Sequence, residues 1–66
     1  MTQINIYRSN GEWCFAAFID GEFDVSDTLD VAVDATATEA TEAAQNLYAG
    51  QSDVRVSKVA DIRLPL

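Results

Sequence analysis

Two turn dipeptides, Asn10-Gly11 and Asp20-Gly21, divide the first half of this chain into consecutive short segments. Asn-Gly and Asp-Gly favour the left-handed backbone angles of a type I′ turn, the tight connection between two antiparallel strands. Residues 3–8 alternate between polar and apolar side chains, and residues 12–19 are rich in aromatic and other apolar side chains. Both patterns are typical of strands. The sequence therefore predicts antiparallel strands joined by hairpins.

The segment after Gly21 keeps its apolar residues on odd-numbered positions over a long distance. These residues are Phe23, Val25, Leu29, Val31, Val33 and Ala35, and the acidic residues on even-numbered positions are Glu22, Asp24, Asp30 and Asp34. This alternation predicts a strand with one buried face and one acidic face. Ser26-Asp27-Thr28 interrupts the alternation, and we leave open whether it forms a bulge or a turn between two shorter strands.

The segment from Thr36 to Glu39 has the spacing of a capping box, in which each residue bonds the backbone N–H of the other. The apolar residues that follow at helical spacing are Ala40, Ala43, Ala44, Leu47 and Tyr48. They predict a helix with a face of small side chains, which can lie close to a sheet. Gly50 is expected to end this helix as its C′ residue.

Val54 and Val56 share one face of the last segment and predict a strand of about five residues. The alternation shifts near Ser57, so we leave open whether the strand continues to residues 62–64, and Pro65 ends the segment. We expect one small acidic domain, residues 1–66, of the α+β class with element order β-β-β-α-β. Its sheet is predicted to have three to four antiparallel strands, with one helix packed on one face.

Charge is distributed unevenly along the chain. It has four basic residues, no histidine and eleven acidic residues, for a net charge of −7, and no Lys or Arg lies between Ser9 and Val54. Such a chain is repelled by nucleic acid and anionic membranes and attracted to basic protein surfaces. We predict contact with the basic surface of a nucleic-acid-binding enzyme or complex. The candidate contact residues are Asp20, Glu22, Asp24, Asp27, Asp30, Asp34, Glu39 and Glu42.

Two interpretations of these acidic residues stay open. Carboxylates at every second residue of a strand recur about every 6.6 Å, which is comparable in scale to neighbouring phosphates of a nucleic acid. Alternatively, the acidic residues only keep a marginally stable domain in solution and discourage pairing between strand edges.

Catalytic and metal-binding patterns are weak. Histidine, the side chain that normally titrates near neutral pH, is absent. Asp20-x-Glu22-x-Asp24 begins like a calcium-binding loop, but Val25 and Val31 stand where that loop needs Gly and Glu. The single cysteine, Cys14, excludes an internal disulfide and is expected to be a buried, unreactive thiol. We predict no enzymatic activity, no cofactor and no metal site.

The sequence also predicts a cytoplasmic location. Residues 1–5 lack the basic and apolar regions of a signal peptide, and the apolar run from Trp13 to Ile19 is too short to cross a bilayer. The same run is apolar on both faces of its strand, so one face is expected to lack a covering helix. That face is a candidate contact surface for a partner or for a homodimer.

The second half resembles the family of small T7-type phage proteins that bind and inhibit bacterial RNA polymerase. The shared pattern is a strand at residues 31–35, an acidic helix that ends at Leu47-Tyr48, and a strand at residues 56–59. The resemblance implies a phage or mobile-element protein that acts in the host cytoplasm. It also implies an acidic docking surface with basic residues on the last strand, where Lys58 occupies one such position and Ala60 replaces an expected arginine.

A second resemblance, to HicB-type antitoxins, rests on Ser26-Asp27-Thr28-Leu29 before a helix. The Pro-Gly-Cys element usual there is absent, and residues 29–35 have the pattern of a strand rather than of a helix.

The leading hypothesis is a non-enzymatic acidic protein that inhibits a host nucleic-acid-handling protein by presenting a surface that mimics DNA or RNA. The alternative is a small self-associating structural or assembly module whose acidic face only confers solubility.

Overall fold

Four strands and one helix make up the computed structural model, which describes residues 1–51 and 53–60. In chain order the elements are β1 (Thr2–Ser9), β2 (Glu12–Ile19), β3 (Glu22–Thr28), α1 (Ala37–Leu47) and β4 (Val54–Lys58). The α+β class and the order β-β-β-α-β are therefore confirmed. The expectations for residues 62–64 and Pro65 lie outside the described residues.

The four strands form one sheet in the order β3-β2-β1-β4. β1 pairs antiparallel with β2, and β2 pairs antiparallel with β3. β4 instead pairs parallel with β1, with Thr2 opposite Val54 and Ile6 opposite Lys58. The prediction of an antiparallel sheet is thus wrong for β4, because α1 carries the chain back along the sheet before β4 begins.

Both hairpin turns have the backbone geometry expected from their sequences. Asn10 and Gly11 have φ angles of 53° and 84°, and Asp20 and Gly21 have φ angles of 52° and 85°. Left-handed angles at both central positions are characteristic of a type I′ turn, whose twist matches that of the strands it joins. The first three strands therefore form a continuous meander.

The third strand is shorter than its sequence pattern predicts. β3 ends at Thr28, and residues 29–35 form a loop in which Leu29 and Ala35 are buried while Val33 is 65% exposed. The Leu29 N–H still bonds the Trp13 carbonyl at 2.9 Å, after which the Val31 N–H turns back to the Leu29 carbonyl. The predicted strand over this segment is wrong because the chain must leave the sheet here to cross to α1.

The irregularity of β3 lies at Asp24 and not at Ser26-Asp27-Thr28, which continues the strand. Phe23 is opposite Phe18 and Val25 is opposite Ala17, so Asp24 is the extra residue of a bulge. A bulge reverses the alternation of side chains along a strand. Phe23 and Val25 therefore do not share a buried face, and Phe23 is 60% exposed.

α1 packs on one face of the sheet only. The core contains Ile4, Ile6, Phe15 and Ala17 from that face, with the small side chains Ala40 and Ala44 of α1 against it. The opposite face carries the alternate residues of the same strands, and no helix of the described residues packs on it. They include Tyr7, Cys14, Ala16 and Phe18.

The two ends of α1 differ in how well the sequence predicted them. Thr36 accepts a hydrogen bond from the Glu39 N–H at 3.2 Å, and Glu39 accepts one from the Thr36 N–H at 3.0 Å, so the capping box is confirmed. At the other end Tyr48 is the C-cap, and Gly50 does not adopt a left-handed angle. The expectation that Gly50 is the C′ residue is wrong.

No helix among the described residues is long and apolar enough to span a membrane.

A candidate protein-binding site on the acidic edge of the sheet

β3 forms one edge of the sheet, and every one of its residues is exposed. Glu22 and Asp27 are opposite Ile19 and Phe15, so both project to the side of the sheet that carries α1. The pKa of Tyr48 is raised by burial and, to a smaller extent, by the Asp24 carboxylate. Two of the three carboxylates of β3 thus face the helix side, and Asp24 lies between them as the bulge residue.

A groove runs between this edge and the helix, because α1 lies over β1 and β4 rather than over β3. The groove has a volume of about 400 Å³. Its lining consists of four apolar residues, Phe15, Leu29, Ala43 and Leu47, and four polar residues, Asp27, Thr28, Asp30 and Asn46. The structure therefore brings Asp27 and Asp30 together at the rim of one apolar depression.

The carboxylates of Glu22, Asp24, Asp27 and Asp30 form no ion pair with any residue in 1–51 or 53–60. Asp27 accepts a hydrogen bond of 2.7 Å from the N–H of Thr28, and this local contact occupies one of its oxygens. The edge consequently presents negative charge that these described residues do not neutralise.

The remaining predicted acidic residues are more dispersed. Asp20 lies in the second turn and forms an ion pair of 2.7 Å with the α-amino group of Met1, and this hydrogen bond lowers the pKa of its carboxyl. Glu39 is engaged in the capping box, while Asp34 lies in the loop after β3 and Glu42 on the exposed side of α1. The predicted row of carboxylates at every second residue is wrong as geometry, since the bulge and the end of β3 break it.

Lys58 lies at the other edge of the sheet, on β4. Its ammonium nitrogen is 5.9 Å from the centroid of the Trp13 ring. The structure does not bring Lys58 together with the acidic residues of β3, although the sequence placed them in one predicted set.

The sequence patterns did not single out Arg8 as a positioning residue for the loop that carries Asp30 and Asp34. Its guanidinium donates hydrogen bonds of 2.7 Å and 3.0 Å to the carbonyls of Val33 and Ala35. One sequence feature could have indicated its importance: Arg8 is the only Lys or Arg side chain in the first 54 residues.

Within the described ranges, no group of three or more acidic, Cys or His side chains is placed to hold a metal ion. Comparison of the chain with protein-family models, curated proteins and solved structures gives no match. The role of the acidic edge is therefore inferred from its geometry and its charge.

Proposed function

We propose that this protein is a non-enzymatic binding protein that attaches to the basic surface of a nucleic-acid-handling protein. Its carboxylates take the place of the phosphates that such a surface binds. The observation that carries the proposal is the exposed edge at β3 and the following loop, where Glu22, Asp24, Asp27 and Asp30 have no ion-pair partner among the described residues. Unneutralised charge of one sign accelerates encounter with a surface of the opposite sign.

The other predicted acidic residues extend this surface beyond the edge. Asp34, Glu39 and Glu42 are exposed on the loop and the helix that follow β3. Lys58, at the far edge, would meet an acidic residue of a partner large enough to span the sheet. Inhibition of a host protein and a phage or mobile-element origin are parts of the proposal that rest on the family resemblance.

The test is affinity capture from a bacterial lysate with three tagged forms of the protein. The first is the wild-type chain and the second is the variant E22K/D24K. The third, E12K/Q45K/A49K, carries the same net charge as the second because one reversal and two neutral-to-lysine changes also add four positive charges. All three of its substituted positions are exposed and lie outside β3.

We expect the wild-type chain and the control to retain one nucleic-acid-handling protein, which moderate salt releases and excess duplex DNA displaces. The E22K/D24K variant should lose it. Equal retention by both variants, or resistance to displacement by DNA, would show that the edge of β3 does not act as a nucleic-acid mimic.

A second candidate function, self-association, is favoured by the exposed aromatic side chain on the sheet face opposite α1. Phe18 and Phe23 form an edge-to-face pair there, with ring centroids 5.8 Å apart, and Phe23 is largely exposed. Light scattering after size exclusion, at low and high salt, measures the mass directly. A dimer that persists in high salt and dissociates on substitution Phe23→Asn supports this candidate, and a monomer at high micromolar concentration contradicts it.

A further inference from the structure

The groove between β3 and α1 combines an apolar floor with an acidic rim. The buried Phe15 lines it together with Ala43 and Leu47 of α1, and the exposed Asp27 and Asp30 line it from β3 and the following loop. Leu47 is 56% exposed, which is unusual for a large apolar side chain that faces a depression. An apolar floor beside carboxylates is complementary to a side chain with a long alkyl stem and a cationic head.

No Lys or Arg from the described part of the chain lines this groove. Its two rim carboxylates therefore lack a cationic neighbour from these residues, and an incoming ammonium or guanidinium group would supply one. A guanidinium group bonds carboxylates through its planar fork of N–H donors, whereas an ammonium group acts as a point charge.

The backbone of β3 indicates the shape of the segment that carries such a side chain. The Leu29 N–H bonds the Trp13 carbonyl, so the hydrogen-bonded pairs of this ladder include Asp27 with Phe15. The N–H and C=O of Ser26 and Thr28 consequently point away from β2. The Thr28 N–H is taken by Asp27, while no hydrogen bond within residues 1–51 and 53–60 occupies the outward groups of Ser26, which could pair with an added strand.

We propose that the groove receives a lysine or arginine side chain from an extended basic segment of the partner protein; this inference rests on the function proposed above. The alkyl stem lies against Phe15, Ala43 and Leu47, and the cationic head lies between Asp27 and Asp30. The segment pairs with the outer edge of β3 at Ser26, so that alternate side chains reach the helix side.

The test uses an acetylated, amidated peptide of seven arginines as the probe, with its dissociation constant measured by calorimetry at low ionic strength. D27N/D30N removes the rim charges, and the Asn that replaces Asp27 keeps an acceptor for the Thr28 N–H. E12Q/D53N changes the net charge equally at exposed positions outside the groove and outside the candidate contact residues. We expect the first variant to bind about tenfold more weakly and the second to change by less than about twofold.

If both variants bind the peptide more weakly by the same factor, the groove is not the binding site. The proposed function of the acidic surface would still hold, because charge would then act without a specific site. Unchanged affinity in both would overturn the two proposals together. A second pair tests the stem contact with no change of charge. L47A should bind several-fold more weakly than wild type, and V33A, an exposed valine outside the groove, should bind like wild type.

Equal affinities for L47A and V33A would show that the stem makes no contact and would overturn the assignment. Spermidine serves as a competitor without a peptide backbone. If it displaces the peptide at an equal concentration of cationic groups, the site accepts any polycation and the assignment to an extended segment is wrong.

Discussion

The indole N–H of Trp13 donates a buried hydrogen bond of 2.8 Å to the carbonyl oxygen of Ala35, 22 residues later in the chain. Ala35 directly precedes Thr36, the N-cap of α1, and the same carbonyl accepts a hydrogen bond from Arg8 at 3.0 Å. The guanidinium carbon of Arg8 lies 4.5 Å from the centroid of the Trp13 ring. This arrangement sets where the loop after β3 ends and where the helix begins over the sheet.

Substitution Trp13→Phe removes the indole N–H together with part of the buried ring and should destabilise the domain. Trp13 is 4% exposed, so we expect Trp13→Phe to lower the free energy of unfolding by about 1–3 kcal/mol. Urea unfolding followed by circular dichroism measures the change. Val33→Ala, at an exposed position, is the control and should cost less than about 0.5 kcal/mol. Equal midpoints for the two variants would contradict a structural role for this bond.

Substitution Arg8→Lys should loosen the loop at residues 29–35. A lysine ammonium cannot reproduce the planar fork that reaches the Val33 and Ala35 carbonyls while it stacks on Trp13. We expect a loss of about 1–2 kcal/mol and faster cleavage of the loop by thermolysin, detected by mass spectrometry. The exposed Arg55 provides the matched control, since Arg55→Lys should leave both the stability and the cleavage pattern unchanged.

The capping box should contribute to stability through hydrogen bonds rather than through charge. Thr36→Ala removes the acceptor for the Glu39 N–H and should cost about 1 kcal/mol. Glu39→Gln keeps an oxygen that can accept the Thr36 N–H, so its cost should be a few tenths of a kcal/mol. Thermal unfolding of the two variants at equal ionic strength measures both effects. A larger loss for Glu39→Gln would indicate that the helix dipole, and not the hydrogen bond, dominates.

Cys14 should be less reactive in the folded protein than in the unfolded chain. Desolvation raises its pKa from the usual value of 9.0, and the carboxylates of Glu12 and Asp27 raise it further. At a given pH the folded state therefore contains less thiolate, and alkylation by iodoacetamide at pH 8 should be slower without urea than with it.

The same shift predicts how stability changes with pH. Because the folded pKa is higher than the unfolded one, the unfolded chain loses its proton first, and the contribution of Cys14 falls as pH rises through 9. Comparison of wild type with Cys14→Ala at pH 8 and pH 10 isolates this contribution from other groups. A difference that does not change between the two pH values would contradict the shift.

The acidic residues show how far a sequence pattern can predict a site. Alternation from Glu22 to Asp34 correctly indicates exposed carboxylates in this part of the chain. It does not indicate that Asp24 is a bulge residue, or that Asp27 and Asp30 meet α1 across a groove. Those relations depend on pairing with β2 and on the position of the helix, and neither is encoded in the spacing of residues along one segment.

Local sequence is sufficient to specify the features that depend on neighbouring residues. The turns at Asn10 and Asp20 and the capping box at Thr36 follow from backbone preferences and short-range hydrogen bonds, so a few consecutive residues are enough to specify them. Three features could not be predicted from local sequence and are seen only in the folded arrangement: the parallel direction of β4, the end of β3 at Thr28, and the groove between β3 and α1. These features depend on contacts between distant residues, such as Trp13 with Ala35, whose free energy exists only when the sheet and helix have come together.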